Sequence, residues 1–283
     1  MKRALLIGLD DAQANEIRER VQMPVMAYYD LPRVVVEGRE LLAERRNGPG
    51  YLPVSHVVFH GIYEHDAEFL AALALWGGPC LPGANALMDC RLRLPCLVRA
   101  LRYTHYPVPR RGWVSPGAVY SPESDEEAAN GWVAKWGNWH CGENKTRFAA
   151  TWNGGLGTFG DGNVALGDGP QVGEGAIIEP FLPGEAIRAV WIGDRYFQLR
   201  LTGADWRKSI HGDGAHLMEP DPELADDARR VANGLGLSVI GNDYMVAEDG
   251  RKFLLEANHV PNVDQFPEVW EAYRTFVTAW LNG

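Results

Sequence analysis

Two β-rich runs near the C-terminus, residues 238–246 (SVIGNDYMV) and 252–258 (KFLLEAN), are separated by a short segment that contains the turn AEDG. Asp and Gly in a connection this short mark a chain reversal, so the runs predict an antiparallel hairpin. Strand side chains alternate between faces, which puts Glu256 and Asn258 on the same face. A register that sets Asp243 across from them adds a third oxygen donor there. Phe253, Leu254 and Leu255 read as buried, and an acidic group among buried residues is costly to desolvate without a cation. Two carboxylates and an amide that leave room for water and phosphate suit a hard cation such as magnesium.

The first 83 residues alternate strand-like and helix-like segments. Residues 3–9 are β-rich, 12–21 carry charges on a helical period, and 54–60 (VSHVVFH) read as a second strand. Phe69, Leu70, Leu73 and Trp76 fall at helical spacing, and Gly77, Gly78 and Pro79 end that helix before Cys80 and Leu81 begin another extended piece. This alternation predicts a small parallel α/β layer. Residues 87–101 predict a helix entered after Pro82 and Gly83, with Asn85 as candidate N-cap; Pro95 either kinks it or marks its first turn. Residues 132–150 read as strand, polar turn and strand. The glycine-dense stretch 151–175 reads either as a loop over a ligand or as hairpin turns. Strands at 176–181, 187–192 and 196–201, a helix at 222–235 and an amphipathic helix at 268–281 complete the expectation.

Composition narrows the function. A formal charge of −10 argues against general nucleic-acid binding, which needs a basic surface, whereas a single nucleotide needs only a few local cations. No apolar run approaches the ~20 residues of a membrane span. The opening MKRALLIGLDD is interrupted by Asp10 and Asp11 with no small-residue cleavage site after it, so it reads as a first strand rather than a signal peptide. Cys80, Cys90, Cys96 and Cys141 form no CxxC pair, which predicts reduced thiols in a cytoplasmic protein.

The order GLxVIGNDYMxxxDGxxxxLEANxxP resembles the C-terminal signature of ATP-grasp enzymes. The resemblance implies that Asp243, Glu256 and Asn258 bind magnesium ions (manganese being an alternative) that bridge the phosphates of ATP. The segment IIEPFLPGEAIRAVWIGDRY is similar to the family's interlobe strand and hairpin. It implies that the Pro180 carbonyl and Leu182 N–H meet the adenine edge, with Glu179 near the amino group. It also implies Glu185 at the ribose hydroxyls, one position before the place, here Ala186, where many members carry the acid. Arg188 matches an arginine directed at the transferred phosphate or the acyl intermediate.

Lys135 followed by GNWHCGENK is similar to the family's lysine and glycine-bearing loop over the α- and β-phosphates. The likeness implies Lys135, Gly142 and Lys145 as phosphate contacts and leaves His140 either on phosphate or packed. Trp136 replaces the common proline, so the loop is more similar to the synapsin branch. MDCRLRLP places Arg91 where the family presents a first phosphate-binding lysine. DWRKS resembles the Trp-Arg-x-Asn stretch and implies Arg207 and Lys208 beside the phosphate or acceptor carboxylate.

The implied fold is α/β and α+β of the ATP-grasp type. Residues 1–83 form an N-terminal parallel α/β lobe, 84–175 a central lobe, and 176–283 a C-terminal lobe with the metal site. The implied activity is ligation of a small-molecule or peptide carboxylate to an amine through an acyl phosphate, releasing ADP and phosphate. A homodimer is compatible with it. A kinase-like phosphotransferase and a synapsin-like ATP-binding module are the alternatives. No GxSxG and no Cys/His pairing suggests a protein nucleophile.

Overall fold

The computed structural model describes residues 2–61, 63, 66–91, 93–108, 112–114, 130–136, 145–148, 176–203, 206, 208, 215–262 and 264–283. His140, Gly142, Arg207 and the stretch 151–175 lie outside the described residues.

The N-terminal strands β1 (Ala4–Ile7), β2 (Val25–Tyr28), β6 (His56–Phe59) and β7 (Cys80–Leu81) pair in parallel in the order β2-β1-β6-β7. They realise the predicted α/β layer. β1 is apolar throughout and wholly buried, as a central parallel strand covered on both faces should be. Helix α1 (Asp11–Arg18) starts on a capping box between Asp10 and Gln13. Helix α2 (Ala67–Trp76) ends on left-handed Gly77.

Between β2 and β6 the chain makes a second sheet that the sequence reading missed. Its strands β3 (Val34–Glu37), β4 (Glu40–Glu44) and β5 (Tyr51–Val54) are antiparallel in the order β3-β4-β5. The expected strand at 54–60 is thus the end of β5 plus β6, broken at Ser55, whose hydroxyl donates to the Arg3 carbonyl at 3.1 Å. The expected helix at 87–101 is two helices, α3 (Ala84–Cys90) and α4 (Arg93–Ala100), and Pro95 lies in the first turn of α4. There its missing N–H removes no helical bond. Gly83, not Asn85, precedes α3. Cys96 and Ala100 of α4 pack with helix α5 (Pro222–Leu235), against the C-terminal sheet.

The central antiparallel sheet has the order β10-β9-β11-β8, from β8 (Gly112–Val114), β9 (Trp132–Trp136), β10 (Lys145–Phe148) and β11 (Ala176–Pro180). The C-terminal sheet has the order β14-β13-β12-β15-β16. Its strands are β12 (Glu185–Ile192), β13 (Arg195–Leu201), β14 (His216–Met218), β15 (Val239–Val246) and β16 (Lys252–Asn258). Ile187, Ala189, Ile240, Tyr244 and Leu254 on one face of this sheet meet α5, which is capped by Asp221 and left-handed Gly236. On the other face Val190, Ile192 and Val239 share a core with α6 (Pro267–Asn282) and with Ala4 and Leu6 of β1. That second face continues beyond its apolar half as the floor of a cleft. No described helix is long and apolar enough to cross a membrane.

Candidate active site

Register decides which side chains reach the cleft. In the central sheet Lys135 is the Cα partner of both Lys145 and Ile177, and Glu179 that of Val133, so Val133, Lys135, Lys145 and Glu179 share one face. In the C-terminal sheet Arg188 opposes Asp243, and Asp243 opposes Glu256. The two faces meet across a cleft of about 670 Å³, counting space open to solvent.

Beyond Asp243 the ladder shifts, so that Tyr244 pairs with Leu254 and Leu255 becomes the extra residue of a β-bulge. The bulge resets the alternation of β16. Leu254 turns into the α5 core while Leu255 and Glu256 both line the cleft, so the strand follows no simple every-other-residue burial. Gly241, the Cα partner of Asn258, keeps this face open. A Cβ on it would lie 2.8 Å from the Pro261 Cβ and 3.6 Å from the Arg188 Cδ.

Apart from Lys208, the charged groups at the site meet opposite ones. Lys135 pairs with Glu179 inside the central sheet, where they are only 5% and 2% exposed. The Lys145 Nζ donates to the Glu256 Oε2 at 3.2 Å, joining the two sheets directly. The Arg188 Nε and Nη2 donate to the two Asp243 oxygens at 2.7 and 2.8 Å, and its Nη1 donates to the Pro261 carbonyl at 3.2 Å. The Asn258 amide lies 3.4 Å from the Asp243 Oδ2. Opposite the charges, Phe181 and Trp206 meet edge to face with centroids 6.1 Å apart, and with Leu182, Met245 and Leu255 they form an apolar wall.

No protein-family model matches the sequence, and no curated protein matches it. Solved structures match over nearly the full chain. D-cycloserine synthetase DcsG is similar with a TM-score of 0.64 at 15% identity, over 99% of this chain and 100% of that one. Macrocyclase MdnC from Microcystis aeruginosa MRC, bound with precursor peptide MdnA, gives 0.63 at 12% identity, over 100% of both chains. ATP-grasp ligase PsnB, complexed with minimal precursor, Mg and ADP, gives 0.59 at 16% identity, over 98% of this chain and 97% of that one. This chain has the ATP-grasp fold. The mixed α/β class expected from the sequence is the one observed, with its parallel N-terminal sheet and two large antiparallel sheets.

Within the ATP-grasp fold, the structure gathers Lys135, Lys145, Glu179, Pro180, Leu182, Lys208, Asp243 and Glu256 around one cleft. Lys208 also donates to the Gly203 carbonyl at 2.7 Å. Asn258 and Arg188 stand beside it through Asp243. Two residues fall elsewhere. Glu185 pairs with Arg200 and lines an adjoining shallow depression; Ala186, one position on, lines both that depression and the cleft. Arg91 pairs with buried Asp66 in the N-terminal part and is not among the described lining residues. The apolar wall was not read from the sequence. Trp206 sits inside the DWRKS motif and Phe181 inside the interlobe motif, but nothing in the sequence alone says which aromatic faces the ligand.

Among the described residues no group of three or more His, Cys, Asp and Glu is arranged to hold a metal. Magnesium asks for less: one or two carboxylates usually suffice, with phosphate oxygens and water completing the shell. Asp243 and Glu256 face each other across one rung, with the Asn258 amide adjoining, and this all-oxygen donor set fits the ion.

Proposed function

We propose that this protein is an ATP-dependent carboxylate–amine ligase whose nucleotide lies in the cleft between the central and C-terminal sheets. The contact of the Lys145 Nζ with the Glu256 Oε2 at 3.2 Å carries the reading. It sets a cation suited to phosphate against a carboxylate suited to a metal, and a magnesium triphosphate requires both at one place.

Bound ATP with magnesium would supply the γ-phosphoryl group that turns a substrate carboxylate into an acyl phosphate, from which attack by an amine expels phosphate and forms the amide. Asp243, Glu256 and Asn258 hold the metal in this reading, and Lys135 and Lys145 hold phosphate oxygens. Both ammonium groups lie in a partly water-excluded cleft, where fixed charge acts strongly on a developing one. Arg188 grips both Asp243 oxygens and so fixes the direction of that carboxylate. The wall of Phe181, Leu182, Met245 and Leu255 suits a flat base, with the Pro180 carbonyl and Leu182 N–H at its edge. Lys208 lines the cleft and would meet the phosphate or the acceptor carboxylate, the role that the DWRKS motif also implies for Arg207. The chain divides for this purpose at about residues 83 and 175. PsnB with its minimal precursor and MdnC with precursor peptide MdnA support a peptide as one class of substrate.

The test is ADP release from a panel of amino acids and peptides. The reading expects ADP to form only when a carboxylate and an amine are both present, with an amide as product. A stable phosphorylated product made without any amine would show a phosphotransferase instead.

A further inference from the structure

β3 is an edge strand. It pairs with β4 on one side, and no described strand pairs with its other side. The β4 register determines which backbone groups face outward. The Arg33 carbonyl accepts from the Glu44 N–H at 3.0 Å, and Glu37 and Glu40 close a two-residue turn at Gly38, whose φ is +60°. Residues 33, 35 and 37 therefore turn their N–H and C=O groups toward β4. Val34 and Val36 turn theirs away, to the open edge.

The side chains of this strand are self-complementary. Arg33, Val35 and Glu37 lie exposed on its outer face, and Arg33-Val34-Val35-Val36-Glu37 is antisymmetric in charge about Val35. A second copy pairing antiparallel, with the two-fold axis at Val35, sets Arg33 against Glu37 of the partner subunit. The same axis sets Val34 against the partner's Val36, the geometry in which two residues exchange both backbone bonds. An axis at Val34 or Val36 keeps the hydrogen bonds but loses the charge pairing. An axis between residues loses the hydrogen bonds.

Two further features favour this occupant. Glu37 and Glu40 are Cα partners on one face, and among the described residues neither has an ion pair, so the partner's guanidinium would offset like charges held side by side. Arg33 holds Glu44 through its side-chain Nε at 2.8 Å, which leaves the rest of its donor fork for a second carboxylate. The far edge of the same sheet is blunted by Pro53, whereas β3 has no proline, lysine or bulge to protect it. We propose that the protein forms a two-fold dimer through β3, joining two three-stranded sheets into a continuous antiparallel one.

Sedimentation velocity over a concentration series tests this on the full chain. The wild type should show a reversible monomer–dimer equilibrium. Arg33→Glu and Glu37→Arg should each weaken it about tenfold or more, since each swap opposes like charges at both ends of the pairing. An equimolar mixture of the two variants should dimerise again, because every cross-strand position then pairs opposite charges; recovery on mixing also shows that both variants are folded. Amide exchange by NMR should show protection at Val34 and Val36 that grows with protein concentration, while Val35, already bonded to β4, stays unchanged. A chain that is monomeric at every concentration, a dimer indifferent to both single changes, or a mixture that stays monomeric would each overturn the proposal.

Discussion

Glu256 is 6% exposed, lines the cleft and accepts from Lys145 at 3.2 Å, so Glu256→Gln keeps its shape and removes one charge. The expected variant melts close to the wild type and turns over about a hundredfold more slowly, the loss typical of one fixed electrostatic group. Unchanged melting with a wild-type rate would take Glu256 out of the proposed metal site. Lys135 behaves differently because its partner is more deeply buried. Lys135→Ala leaves the Glu179 carboxylate, 2% exposed, without that ion pair, and should cost about 3 kcal/mol of stability as well as nucleotide affinity. Adding Glu179→Gln should restore most of the melting temperature while nucleotide binding stays weak, because only the stability loss stems from the stranded carboxylate. Calorimetric titration beside a melting curve separates the two effects.

At the scale of elements, the β15–β16 hairpin carries the site, and Gly241 is where its fit is tightest. A methyl group there would crowd Pro261 at 2.8 Å, so Gly241→Ala should push residues 259–262 away from the strand. The expected cost is about 1–3 kcal/mol of stability together with weaker magnesium-dependent nucleotide binding, read by melting and titration. An unchanged titration would mean that the segment after β16 does not shape the site. This hairpin was also the most legible part of the sequence. Two β-rich runs joined by a short reversal and the period of two put Glu256 and Asn258 on one face and leave the register of Asp243 open; in the structure Asp243 and Glu256 are rung partners. The bulge was not legible, because Phe253, Leu254 and Leu255 are three apolar residues in a row and carry no period. The β3–β5 sheet was missed for a related reason: each strand has only four or five residues, too few for alternation to register. Glu185 shows how a site residue misleads. In a strand one position is a whole face, and Glu185 spends its charge on Arg200 while Ala186 lines the cleft. The Arg91 pairing with Asp66 depends on tertiary packing that no local pattern encodes.

On the scale of the whole molecule, β6 of the N-terminal layer and C-terminal helix α6 are joined partly by histidines against aromatic rings. His60 packs on Tyr273 with ring centroids 4.8 Å apart, and His56 meets Trp280 edge to face at 5.4 Å. Burial pushes the His60 pKa down to about 4 and lowers that of His56. An unfolded histidine titrates near 6.5, so between about 6.5 and 4 the unfolded chain binds a proton that the native His60 refuses. Stability from this group is therefore complete above about pH 6.5 and is lost as pH falls toward 4. The melting temperature should drop across that window, and His60→Gln should flatten the drop; an equal slope in the variant would place the sensitivity elsewhere. The cleft in which two sheets bring lysines and carboxylates together is the proposed seat of a magnesium nucleotide. The decisive experiment is calorimetric titration of the wild-type protein with a non-hydrolysable ATP analogue, once with magnesium and once in EDTA. Clear binding is expected with magnesium and a collapse of affinity in EDTA, because Asp243 and Glu256 would then repel the triphosphate. Equal affinity in both titrations would rule out a magnesium nucleotide held by Asp243 and Glu256.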